Sequence, residues 1–409
     1  MESRRKQAGS CQHLAQAVVA MVLAGSTYVW SMSFMPSKEL FLSRQLPMPE
    51  QMLVSALLEI SENRMGAALE QIERLLDKKP DFRLAQLVKG DLLLARARPI
   101  ETVGAGAQSN HAAELREEAR ARLARFAFQP PAEHVPSYVL ELPKDQEHAL
   151  VLDAEKSTLF VFENRPDGLR YVADYYVSVG KSGVDKLREG DKKTPLGVYH
   201  VTSKLAREKL TDFYGAGAFP INYPNEWDRL RGRNGYGIWL HGTPLDTYSR
   251  PPRASDGCVV LANEDLVDLG RSLQPGVTPA VITTGIEWTD RQSVDRRRRE
   301  LLGQLDAWRR DWESRDTETY LQHYSQRFSS GTGGYQKWAA QKKQVNAAKS
   351  WIKVRVSDVS LIMYPGDGNL AVATFDQDYS SSNLNNRMRK RQYWVREGER
   401  WRILYEGAG

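Results

Sequence analysis

The chain has 409 residues, 41% of them hydrophobic and 26% charged, which excludes a disordered polymer and a single small core and leaves room for two to four domains. Its net charge of +6 and pI near 9.1 suit anionic surroundings such as lipid headgroups or an acidic polymer, and carry no information about fold.

Arg4, Arg5 and Lys6 precede an apolar run from Leu14 to Gly25, and Val22 and Ala24 fit the minus-three and minus-one positions of a signal-peptidase site. Low polarity continues through Tyr28, Trp30 and Phe34 to Met35, giving about 20 residues, enough to span a bilayer. Residues 1–36 are expected to be a signal peptide or a signal anchor, with membrane anchoring through 14–35 in the second case, and the protein is expected in the periplasm or cell envelope. The two cysteines are Cys11, inside this segment, and Cys258. A cleaved protein would keep one thiol, and an unpaired thiol in an oxidising compartment implies intermolecular pairing, a reactive group or a small buried hydrophobe.

Residues 45–128 are predicted to be helical. Met52, Ala56 and Leu57, then Ala67, Ala68, Ile72 and Leu75, then Leu84, Leu87 and Leu92 repeat at helical spacing, and a further helix is expected from Ala112 to about Phe126. Ala56, Ala68, Leu75 and Pro80 also resemble a tetratricopeptide unit of about 34 residues, but one unit cannot build a solenoid. The segment therefore reads as a helical prodomain or a dimerising arm, and a homodimer is among the expected assemblies. Pro130, Pro131 and Pro136 mark a linker.

After Pro136 the texture changes to short β runs at Ala149–Leu152, Thr158–Glu163, Tyr171–Val179, Val198–Thr202, Ile238–His241 and Ala280–Thr284. A helix is expected from Glu264 to Leu273 with Asn263 as its cap, and Leu205 to Arg233 reads as a long loop. From about Thr289 a charged helical region runs to Phe328. Strand-like stretches follow at Ile352–Tyr364, Leu370–Tyr379, Met388–Val395 and Trp401–Tyr405, an α+β order. The basic runs Arg296–Arg299 and Arg387–Arg391 are expected to be solvated or to meet an acidic wall polymer, with no nucleic acid as partner.

Three short patterns lie in order within the middle domain: Gly190-Asp191-Lys192-Lys193-Thr194-Pro195-Leu196-Gly197, then Ile238-Trp239-Leu240-His241-Gly242, then Ser255-Asp256-Gly257-Cys258. A thiolate is the reactive form of cysteine, and an imidazole beside it would lower the thiol pKa by ion pairing. Cys258 is the expected nucleophile and His241 its base. Gly257 permits a sharp turn beside the nucleophile, and adjacency suggests that the Gly242 carbonyl accepts from the far His241 nitrogen. The start of the helix after Asn263 is expected to supply amides for a thiolate and an oxyanion.

With these motifs the middle domain, roughly residues 137–286, resembles the YkuD-type L,D-transpeptidase catalytic domain. The resemblance implies His241 as base, Cys258 as nucleophile, Gly242 as the third member through its carbonyl, and Ser255 and Gly257 shaping the site, with Gly257 and Cys258 at the oxyanion turn; Ser255 and Asp256 are the expected substrate-side residues, Asp256 alternatively facing solvent. Asp256 stands where the family usually has a second histidine, and Val260 where it usually has arginine. The implied substrate is the peptidoglycan stem tetrapeptide, with neither metal nor organic cofactor. Cys258 would attack the carbonyl of the third-position diamino acid, release D-alanine and hold a thioester. An amine acceptor then gives a cross-link or attachment of a wall-attached protein, and water gives L,D-carboxypeptidase or amidase activity; a non-catalytic wall-binding scaffold is the remaining alternative. Residues 291–409 resemble an NTF2-like α+β domain, expected to dock the wall or a partner. Of Tyr335, Trp338, Tyr379, Tyr393, Trp394, Trp401 and Tyr405, strand alternation is expected to send about half into the core, and the rest are expected to supply an aromatic wall to its cup.

Overall fold

The computed structural model describes residues 48–98, 104, 110–131, 133–330 and 333–409. The expected export segment at 1–36 lies outside the described residues, and among those described no helix is long and apolar enough to cross a membrane. The chain builds an N-terminal helical domain, a mainly-β middle domain and a C-terminal α+β domain.

Helices Met48–Ser61, Met65–Lys78 and Arg83–Leu94 pack with Asn110–Ala127. The small residues Ala56 and Ala68 are fully buried with Leu53, Ile72 and Leu75, because Ala lets helix axes approach while the larger side chains fill the space between them. Pro80 lies exposed in the turn before Arg83–Leu94, where its carbonyl accepts from the Gln86 side chain at 2.5 Å.

The middle domain holds a five-stranded sheet in the order Gly168–Tyr176, Thr158–Arg165, His148–Asp153, Pro279–Thr283, Gly197–His200. A four-stranded sheet runs Val259–Val260, Trp239–His241, Gly217–Pro220, Leu205–Ala206. The strand His148–Asp153 reads as continuously apolar because both of its faces are covered. Leu150 and Leu152 face the core between the two sheets, with Phe219, Leu240, Val259 and Leu266. Ala149 and Val151 face a second core that continues into the C-terminal domain through Leu301, Trp308, Leu361 and Trp394.

The C-terminal sheet has seven strands, ordered Gly333–Gly334, Tyr324–Ser330, Arg400–Ala408, Leu384–Glu397, Leu370–Ser381, Ile352–Met363 and Val139–Glu141. Its last strand comes from ahead of the catalytic domain, inside the segment 137–286 that the sequence groups as one unit. The strand His134–Pro136 likewise pairs with Trp288–Asp290, so the two ends of the middle domain are stitched together where it meets its neighbour.

Three sequence expectations are corrected. The helical region expected up to Phe328 ends at Leu321, and Tyr324–Ser330 is a strand lying parallel to Arg400–Ala408. Its apolar side chains Tyr324 and Phe328 recur four apart, a spacing compatible with either structure, and tertiary pairing decides. The stretch 205–233 is not one loop but holds the strand Gly217–Pro220 and the helix Glu226–Leu230, whose Asn225 cap accepts from the Asp228 amide at 2.9 Å. The expected aromatic wall is mostly core: Tyr379, Tyr393, Trp394 and Trp401 are buried, and Tyr335, Trp338 and Tyr405 pack half-buried against the same clusters.

Candidate active site

Strand pairing brings the two distant motifs together. Trp239–His241 runs parallel to Val259–Val260 with Leu240 opposite Val259 and His241 opposite Val260, so Cys258 enters the sheet beside Trp239. Three-residue and two-residue strands hold this register because Leu240, Val259 and Leu261 are all buried in the domain core.

His241 is almost fully buried, at 1% exposure. Its Nδ1 lies 2.7 Å from the Gly242 carbonyl oxygen. A carbonyl only accepts, so Nδ1 carries the proton and Nε2 is left as the basic nitrogen. Burial drives the imidazole pKa down to about 4, opposed by the Gly242 hydrogen bond and assisted by the positive charge of Arg250. The rings of Tyr214 and Phe213 wall the imidazole at 5.1 and 5.6 Å between centroids.

Gly242 fits only without a side chain. A Cβ there would fall on the Asn263 side-chain oxygen and 3.0 Å from the Ala216 amide nitrogen. Asn263 is not the expected helix cap: the helix is Asn263–Leu269, shorter than predicted, with Ala262 at its cap position. The Asn263 side chain instead accepts from the Ala216 amide at 2.7 Å and donates to the Thr243 carbonyl at 2.9 Å, tying the 213–216 loop to the chain beyond Gly242.

The turn before Cys258 is braced from inside. Gly257 has φ +127, and a Cβ on it would lie 2.8 Å from the Lys193 carbonyl oxygen. Thr194, fully buried, donates to the Gly257 carbonyl at 2.9 Å and accepts from the Gly180 amide at 2.9 Å. Carbonyl and amide of a trans peptide point to opposite sides. Holding the Gly257 carbonyl on Thr194 therefore turns the Cys258 N–H away from Thr194. Ser255, expected at the substrate, is 2% exposed, donates to the Cys258 carbonyl at 2.6 Å and accepts from the Gly257 amide at 3.1 Å. Its hydroxyl is committed within the turn. Asp256 is 70% exposed and pairs with Lys181 at 2.8 Å, which holds its carboxyl below the usual range.

Cys258 is partly exposed, its Sγ 3.3 Å from the Gly237 carbonyl oxygen. Burial pushes the thiol up from its ordinary value, against the Trp239 amide and the charge of Arg250, which favour the thiolate. Burial thus works against charge on both groups, against the expected thiolate–imidazolium pair. The expected helix-start amides are likewise replaced at sulfur by the Trp239 amide.

Sequence reasoning missed Thr194 as the brace, the Trp239 amide, the aromatic walls and Arg250. Thr194 carried a signal, because it lies in the first of the three motifs. Arg250 carried none, since it belongs to an irregular loop.

The chain matches the YkuD L,D-transpeptidase catalytic domain over residues 147–282 and the Cds6 C-terminal NTF2-like domain over residues 300–407. No curated protein matches it. Among solved structures it is similar to Bd1075 of Bdellovibrio bacteriovorus, with 28% identity, a TM-score of 0.59, and coverage of 68% of this chain and 98% of that one. It is also similar to Pgp2 of Campylobacter jejuni, described as a helical cell shape determining protein, with 26% identity, a TM-score of 0.56, and coverage of 68% and 95%. The chain thus joins a YkuD-type L,D-transpeptidase catalytic domain to a C-terminal NTF2-like domain.

Proposed function

We propose that the protein is a peptidoglycan-modifying cysteine acyltransferase, an L,D-transpeptidase that acts on stem tetrapeptides in the cell envelope. The observation that carries this reading is the register that sets Cys258 in line with a strand ending at His241, whose Nδ1–H is spent on the Gly242 carbonyl. His241 Nε2 takes the Cys258 thiol proton as Sγ attacks the carbonyl carbon of the third residue. The C–N bond to D-alanine breaks, and the same proton passes to the leaving amine. The oxyanion formed in between is met by the Cys258 N–H. An acceptor amine then attacks the thioester, gives its proton to His241, and expels sulfur, which recovers a proton. Water in place of the amine yields the trimmed tripeptide, a reading favoured by the partial exposure of Cys258. The C-terminal domain holds the enzyme to the wall.

Mass analysis of muropeptides after incubation with the purified protein tests this. Tetrapeptides should become 3-3 cross-links or tripeptides with release of D-alanine. Unchanged muropeptides, or conversion that persists in Cys258→Ala, would remove the assignment.

A further inference from the structure

We propose that Arg250 is the subsite for the terminal carboxylate of the departing residue, and that the helical domain holds it there. This deepens the acyl-transfer reading and rests on it. The Arg250 guanidinium lies 4.9 Å from the Phe213 ring centroid, and Phe213 in turn packs on the His241 imidazole. Stacked on Phe213 it stands one ring away from His241, and its charge acts on Cys258, His241 and Asp256. Among the described residues its guanidinium has no hydrogen-bonded or ion-paired partner, although it is half buried. A half-buried cation without a counter-ion is costly, and a planar guanidinium is shaped to take a carboxylate through two parallel hydrogen bonds. The nearest acid does not serve, because Asp256 faces solvent and is paired with Lys181.

No cation comes from the position two residues after the nucleophile, where similar domains carry arginine. Val260 there is 2% exposed and packed opposite His241. The positive charge reaches the site from the 243–252 loop, and that loop is anchored outside the catalytic domain. Tyr248 is buried in the core of the helical domain, 4.4 Å from the Phe82 ring. Ser249 donates to Glu118 at 2.6 Å, while from within the catalytic domain Tyr176 donates to the Arg250 carbonyl at 2.9 Å. Three consecutive residues are thus fixed, the third with its head group free. In a tetrapeptide acyl donor the terminal carboxylate carbon lies within about 4 Å of the scissile carbonyl carbon, so that anion is held close to the thiol that attacks there.

The test uses the full chain with Cys258→Ala, which binds without turnover, and two probes: the tetrapeptide with a free C-terminal carboxylate and the same peptide as its carboxamide. The acid should bind about tenfold or more tightly than the amide. Arg250→Gln should abolish that preference by weakening only the acid, and Arg250→Lys should restore part of it. A preference that survives Arg250→Gln, an equal loss on both probes, or no preference at the outset would overturn the subsite. Release of D-alanine by the protein with Cys258 intact is scored separately: its absence alongside an Arg250-dependent preference sinks acyl transfer and leaves the subsite standing.

Discussion

The protein buries two polar clusters on opposite sides of the same loop, and they are built on opposite rules. At the seam with the helical domain, Arg122 pairs with Glu50 and with Glu118 at 2.9 Å, and Arg125 pairs with Asp174 at 2.5 Å, all with side chains at most 4% exposed. The Arg122 guanidinium also lies 4.0 Å from the Tyr176 ring centroid. Each arginine there is matched to a buried carboxylate, so the cluster fixes geometry. At the thiol, among the described residues, His241 hydrogen-bonds to one carbonyl, the sulfur has backbone partners, and Arg250 has a ring but no ion-paired anion. Unmet capacity in a low-dielectric setting is what a substrate can complete.

The sharpest way to break this contrast is to remove one atom from the second cluster. Cys258→Ala should lower D-alanine release by a factor of about 10⁴ or more while leaving the melting temperature within about 2 °C, since no packing depends on the sulfur. Removing a seam charge should do the reverse. Arg122→Ala strands Glu50 and Glu118 and is expected to cost about 3–5 kcal/mol of stability in a urea titration, whereas unchanged stability would deny the seam its structural role.

A third test concerns charge state. His241 acts as base only when neutral, so kcat/KM should fall as pH drops through about 4 and stay level from there through neutrality. An acid limb near the ordinary imidazole value of about 6.5 would contradict the buried neutral base. Alkylation of Cys258 by iodoacetamide should be slow at pH 7 and rise above pH 9. His241→Ala should change it less than an ion pair would require, because burial sets the thiol pKa.

Smaller effects are expected from the supports. Thr194→Val removes the hydroxyl shared by the Gly257 carbonyl and the Gly180 amide, and should cost about 1–3 kcal/mol together with a partial loss of turnover. In the C-terminal domain Lys342 sits 4.2 Å from the Trp338 ring centroid and 5.0 Å from that of Trp312, with burial pushing its pKa down to about 8. Lys342→Gln should spare reaction with a soluble tetrapeptide and slow reaction with intact sacculi a few-fold; equal effects on both would end the docking role. Truncation at residue 291 is the poorer experiment, because it would strip the shared core from Ala149, Val151, Phe160 and Phe162.

Helix positions in the first domain were legible because Ala56, Ala68, Ile72 and Leu75 recur at the period of the structure they form, a property of the local chain. The longer strands of the middle domain were legible for the same reason, whereas the short strands Gly217–Pro220 and Val259–Val260 were not. The motifs around His241 and Cys258 could be read because a turn, its glycine and its reactive side chain are contiguous. Everything that depends on pairing between distant segments escaped. The strand Tyr324–Ser330 is recognised only beside Arg400–Ala408, and Val139–Glu141 joins the C-terminal sheet across the whole catalytic domain. Asn263 looked like a cap, since capping is the local use of asparagine, whereas its actual partners, Ala216 and Thr243, are 47 and 20 residues away. Burial of the thiol and imidazole, which works against the charged form of each, is not revealed by composition and spacing. By itself the sequence determined which residue types could do chemistry and which stretches could be helix or strand, through short-range periodicity and steric rules. Only the tertiary structure decided that a loop between the two catalytic motifs is pinned to the helical domain and sets Arg250 on the Phe213 ring beside His241, because that placement rests on contacts of Tyr248 with Phe82 and of Ser249 with Glu118 between segments far apart in the chain.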